Sequence, residues 1–213
     1  MTLNPAPDLL TALYWVTLLA VVVSSASAVL KTGSKQFDLF GVIIIAIATG
    51  LGGGSLRDML LDREVFWIRD QAFFFASLGS AFAMFLLARR FDLSSKWFLV
   101  PDAAGLATFA IAGTTVSLML DVPWIVASFM GVMTGVLGGI FRDVLCNETP
   151  MVFYSPLYAT IAWIGAIGFV GLLSIGIAIE WSMIIAGGSI FIVRLIAIRY
   201  NINLPRYRSR SNH

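Results

Sequence analysis

Two arginine-aspartate pairs, Arg57-Asp58 and Arg142-Asp143, are the strongest candidates for chemistry in this chain, because each follows adjacent glycines inside a long apolar run. The stretch GLGGGSLRDML at residues 50 to 60 recurs as GVLGGIFRDVL at residues 135 to 145, so the two copies align at an offset of 85. Charged side chains at membrane depth are costly, and those that persist there mark ion paths or pair with one another. Neighbours at i and i+1 do not face each other on a helix, so each arginine is expected to find a partner other than its own aspartate. Two roles are open for Arg57, Asp58, Arg142 and Asp143: gating and field-setting near the mouths of a path, or ion pairing and snorkelling that anchor helix ends.

Each helical glycine costs about 1 kcal/mol relative to alanine, and consecutive glycines mark kinks or unwound turns. Gly52, Gly53 and Gly54 in the first copy, and Gly138 and Gly139 in the second, therefore predict kinks at depth. Backbone freed there must be covered by protein or line a wet cavity. Carbonyls that end a half-helix favour a cation and amides that open the next favour an anion, so dipoles alone leave the sign of a ligand open. Close helix packing is the other reading of the same glycines. Hydroxyls form the second polar set, with Ser25, Ser27, Thr49, Thr114, Thr115 and Thr134 as candidate lining residues. They either bond back to their own helix carbonyls or replace part of an ion's hydration shell along a narrow path. The set lacks the charge to hold a divalent ion tightly.

Other side chains carry little chemistry. Asp102 is expected to complement the N-terminal dipole of its helix or to stand as a carboxylate at a pore mouth. Cys146 has no histidine partner for nucleophilic catalysis, and His213 is the last residue. The glycine-rich stretches lack the following Lys-Ser/Thr and the preceding strand of a phosphate loop. No constellation supports an enzyme, a resident metal or a cofactor.

The elements that must position these residues follow from composition. The chain has 213 residues, of which 59% are hydrophobic and 12% charged, about half the charged fraction of a soluble domain. An all-α integral membrane protein forming one domain over 1–213 is expected. Runs long enough to span, about 20 apolar residues, lie near 10–30, 39–61, 71–88, 101–120, 123–141, 156–175 and 181–199. The N-terminus lacks the basic residues of a signal peptide, so the first run is read as retained. Three basic residues, Arg57, Arg63 and Arg69, fall on one side of the membrane, and the other eleven of the fourteen on the opposite side. The positive-inside rule then puts the N-terminus outside and the basic tail, 200–213, in the cytoplasm. That topology explains the net charge of +2 better than a nucleic-acid partner does. Because three helices reverse direction, repeat 1 (about 10–88) and repeat 2 (about 101–175) are expected to be inverted, with the seventh run, about 181–199, added.

The stretches FDLFGVIIIAIATGLGGGSLRDMLL, GVMTGVLGGIFRDVLCNETP and LYATIAWIGAIGFVGL resemble the prokaryotic branch of the trimeric intracellular cation (TRIC) channel family, whose bacterial members are also grouped as glycine transporters. The resemblance covers essentially the whole chain. It implies seven helices in inverted three-helix repeats, homotrimers in the lipid bilayer, and one pore per protomer between the glycine-kinked second and fifth helices, permeable to potassium and other monovalent cations. Animal members carry lysine-containing motifs linked to phosphoinositide lipid, where this chain has Arg57 and Arg142 nearby. The expectation is a potassium-permeable channel in a bacterial-type inner membrane. The rival is an alternating-access carrier for a small zwitterion such as glycine, and a third reading is a lipid-interacting protein without flux.

Overall fold

The computed structural model describes residues 7–33, 35–91, 95–155 and 157–202, and all regular structure among them is helical. The basic tail beyond residue 202, with Arg206, Arg208, Arg210 and His213, lies outside the described residues. Eight α-helices follow in order: α1 (Pro7–Thr32), α2 (Leu39–Leu60), α3 (Phe66–Arg69), α4 (Ala72–Arg90), α5 (Leu99–Met119), α6 (Trp124–Leu145), α7 (Tyr158–Ser174) and α8 (Ile179–Tyr200). Six of them are long and apolar enough to cross a membrane, and α7 is a shorter apolar helix of 17 residues. At 1.5 Å per residue α7 spans about 25 Å, near the lower limit for a bilayer core. The single turn α3 and the 3-10 turns at Ser95–Phe98 and Met151–Phe153 go beyond the seven expected runs.

Surface composition agrees with lipid contact. Phe40, Ile164 and Ile184 are more than 60% exposed, which a water-facing surface would not favour. Trp15, Trp97, Trp124 and Trp181 are at least half exposed, as amphipathic rings are at a membrane boundary. Conversely the centre of the molecule is α5, whose buried face includes Leu106, Ala110, Ile111 and Leu118. It packs against α1, α6, α7 and α8.

The inverted repeat is visible in how α2 meets α6. A side-chain carbon added to Gly53 would collide with the Thr134 carbonyl, and one added to Gly138 would collide with the Thr49 carbonyl. Residue numbers thus rise along one helix as they fall along the other, so the two run antiparallel about a pseudo-two-fold axis. Gly50 and Gly135 make the corresponding approach to the Val21 and Leu106 carbonyls of α1 and α5. Both α2 and α6 are helical throughout, so the glycines unwind neither helix. The carbonyls expected to be freed there lie within helix instead. Absence of a side chain lets two helix backbones touch, and that contact compensates the glycine penalty without a break.

The paired Arg-Asp motif

Asp58 and Asp143 do the same work in each repeat. Each accepts on Oδ1 from Nε of the preceding arginine, at 2.8 Å for Arg57 and 2.9 Å for Arg142. Each also accepts on Oδ2 from a backbone N–H eight residues later, Phe66 or Met151, both at 2.9 Å. Each arginine therefore does pair with its own aspartate, contrary to the i,i+1 expectation, although Arg142 also has the expected different partner in Asp102. That rule concerns side chains standing off the helix, whereas these lie at the end of one, where a long guanidinium stem can fold back. The aspartates close the loop that leaves the helix. A left-handed residue follows in both copies, Asp62 at φ 50° and Asn147 at φ 55°, and the next amides, of Arg63 and Glu148, return to the carbonyls of Asp58 and Asp143 at 3.0 and 2.8 Å. Asp and Asn tolerate this conformation, and the bond pattern is a Schellman cap.

Counting from the crossing, each arginine sits about 9 Å along its helix axis toward an opposite end. All four charged residues are buried. Beyond their shared geometry the two ends differ. Arg142 Nη1 donates to Asp102 Oδ1 at 2.5 Å and to Ser27 Oγ at 3.0 Å, and its guanidinium lies 5.0 Å from the Phe98 ring centre. Tyr158 donates its hydroxyl to the same Asp102 oxygen at 3.4 Å. Arg57 Nη2 pairs with Asp58 at 2.8 Å, while its Nη1 has no hydrogen-bond partner. Asp102 does lie in the first turn of α5, yet its carboxylate is committed to Arg142. Its Oδ2 is buried without a partner.

The hydroxyl candidates are all buried. Thr49, Thr114, Thr115 and Thr134 donate to the carbonyls four residues earlier, of Ile45, Ala110, Ile111 and Met130, at 2.6 to 2.8 Å. Ser25 Oγ lies 2.9 Å from Ser77 Oγ of α4, and Ser27 serves Arg142. The back-bonding alternative therefore holds for the threonines, and their oxygens keep acceptor lone pairs. Thr134 and Thr114 face Gly113 and Gly131 where α5 and α6 cross. Gly52 meets Phe141 rather than the crossing, Gly54 meets Phe66, and Gly139 approaches the Tyr158 hydroxyl.

Sequence reasoning missed Tyr158 and Arg194. Arg194 of α8 is fully buried, donates from Nη2 to Ser155 Oγ at 2.7 Å, and lies 4.6 Å from the Tyr158 ring centre. A lone arginine at position 194 inside an apolar helix was the available signal. Tyr158 gives no such signal, since only Asp102 makes its hydroxyl meaningful. Among the described residues no group of three or more His, Cys, Asp or Glu side chains is placed to hold a metal ion.

Comparison with known proteins fits this architecture. A family model described as "Glycine transporter" matches residues 14–89 and again 99–174. The inner membrane protein YadS of Escherichia coli K12 is 34% identical over 202 residues, covering 93% of this chain and 98% of that protein. A membrane protein of Vibrio cholerae is 38% identical over 197 residues, covering 92% of this chain and 82% of the relative. Among solved structures, the TRIC trimeric intracellular cation channel orthologue from Rhodobacter sphaeroides superposes with a TM-score of 0.85 at 30% identity, covering 90% of this chain and all of that one. A prokaryotic TRIC channel solved in 0.5 M KCl gives 0.83 at 26% identity, over 92% of this chain and 100% of the other.

Proposed function

This chain belongs to the glycine-transporter family, the one that includes the TRIC channels, and from that membership we propose that it is a potassium-permeable monovalent cation channel of a bacterial-type inner membrane. The observation that carries the reading is the antiparallel crossing of α2 and α6, where Thr49 and Thr134 carbonyls face glycine on the opposite helix. Parting these helices by a few ångströms exposes carbonyl and hydroxyl oxygens, with Ser25 and Thr114 close by. Such oxygens replace water around a weakly hydrated cation. Every threonine there has its donor engaged, so what it offers a passing ion is an acceptor. The unpartnered Oδ2 of Asp102 adds negative charge at one end.

The Arg-Asp pairs hold the helix ends on which this crossing hangs, and gating acts through them. The protein works as a homotrimer, as the relatives' descriptions imply, with a path in each protomer. Its N-terminus faces outward and its C-terminus the cytoplasm, from the eleven-to-three division of basic residues. Purified protein in planar bilayers should show discrete cation-selective openings. Their absence contradicts the reading.

The family's description as glycine transporters favours one second reading, a carrier that closes alternately at each end of the crossing. Saturable uptake of labelled glycine that exchanges with internal glycine would support it. Flux far above carrier turnover would exclude it.

A further inference from the structure

The two ends of the molecule are built on one plan and differ in what surrounds the arginine Nη1. At the Arg142 end, Nη1 is satisfied by Asp102 and Ser27, and Tyr158 supports Asp102. Stepping back by the repeat offset of 85, the positions that match Asp102 and Tyr158 are Thr17 and Phe73, and the position that matches Ser27 is Ala112. A carboxylate, a phenol and a hydroxyl have become a methyl-bearing threonine, a phenyl ring and a methyl group. Arg57 consequently keeps its Asp58 pair but has no partner for Nη1, although the residue is only 3% exposed.

Two of the three matching positions, Thr17 and Phe73, border an open cavity, with Arg57 Nη1 buried just behind its wall. Thr17, Phe73 and Arg57 together line a cavity of about 410 Å³, far more than the roughly 30 Å³ share of one water molecule. Arg63, Arg69 and Asp70 complete its polar wall, and Tyr14 and Phe66 part of its apolar one. A second pocket of about 350 Å³ shares Arg63 and Arg69 and adds Glu64. Asp58 is already taken by Arg57, and Arg63 Nε lies 3.6 Å from the same oxygen. Asp70 is engaged through Oδ1 with the Ala72 amide at 2.9 Å. Arg57, Arg63 and Arg69 thus line the cavity itself with Asp70 as its one lining carboxylate, while Asp58 is bound to Arg57 and Glu64 belongs to the adjoining pocket.

We propose that the cavity beside Arg57 is a binding site for a small free carboxylate, which takes at this end the place that Asp102 holds at the Arg142 end. Three guanidiniums line the cavity, and a planar guanidinium matches a carboxylate in geometry and charge. Asp70 on the same wall suits an ammonium group, so a small amino acid belongs to the class. Binding here is independent of whether the protein conducts a cation, and it is measured without flux.

The test is calorimetric titration of the full-length protein in detergent with sodium acetate and with glycine, against sodium chloride at matched ionic strength. Saturable binding of acetate and glycine, absent with chloride, is expected. Thr17→Asp supplies the internal carboxylate and should weaken acetate binding by at least about tenfold, equivalent to about 1.4 kcal/mol, while Thr17→Asn retains it. Arg69→Gln, at an exposed side chain, should fold normally and also bind more weakly, which keeps the proposal testable if Thr17→Asp fails to fold. No saturable acetate binding, unchanged affinity in Thr17→Asp or in Arg69→Gln, or tighter binding of inorganic phosphate than of acetate would overturn it. The last outcome would assign the cavity to a phosphate or a lipid headgroup.

Discussion

Asp102 carries the clearest consequence at the scale of single residues. Removing its charge leaves Arg142 buried with Asp143 as its one carboxylate partner, and breaking a buried ion pair costs about 3–5 kcal/mol. Asp102→Asn should therefore lower the thermal unfolding midpoint in detergent sharply. Thr17→Asn, at the matching position of the other repeat, should barely move it. A lesser ion pair gives a pH dependence. Glu148 lies in the loop after α6, bonded to Lys31 at 2.5 Å and to Lys35 at 3.1 Å. The Lys31 hydrogen bond, above all, holds its carboxyl below the ordinary carboxylate value. A depressed folded-state value means stability that is present above the unfolded value, near 4.3, and lost as pH falls through the folded one. Wild type should lose more stability than Lys31→Met on acidification through that range, as read from unfolding midpoints. At this scale the sequence marked out the buried charges and hydroxyls better than it showed their bonds. The Arg-Asp repeat is plain in the text, but the pairing of Arg57 with Asp58 depends on the helix ending within a few residues. Only the fold brings Asp58 to the Phe66 amide.

Between elements, the decisive contact is the crossing of α2 and α6. Gly53→Ala and Gly138→Ala each force a methyl group into a backbone carbonyl of the facing helix, and overpacking of that kind costs about 1–3 kcal/mol. Gly79→Ala, where nothing lies within 4 Å, should be neutral or slightly stabilising through helix propensity. Equal effects at the three positions in thermal unfolding would contradict the packing described here. Seven apolar runs, their inversion and the pivotal glycines were all legible, because hydrophobic length and an odd helix count constrain a membrane chain strongly. Whether those glycines break a helix or bring two together was not legible. Both readings place glycine at the same depth, and the partner helix is 85 residues away. The short α3 and the 3-10 turn at Met151–Phe153 escaped notice as well, since turns of three or four residues leave no periodic signal.

At the scale of the whole molecule, the inverted halves form one scaffold with unequal ends. One end is closed internally by Asp102, and the other keeps a cavity at Arg57. If the protein assembles as its relatives do, light scattering from the purified complex should give the mass of three 23.1 kDa chains. A single-chain mass would remove the trimer from the account. The central claim is conduction, and the most direct measurement is single-channel current across a planar bilayer holding purified protein in a potassium chloride gradient. The account predicts discrete openings whose reversal potential lies near the potassium equilibrium potential. Reversal near the chloride potential, or no discrete openings, would contradict it.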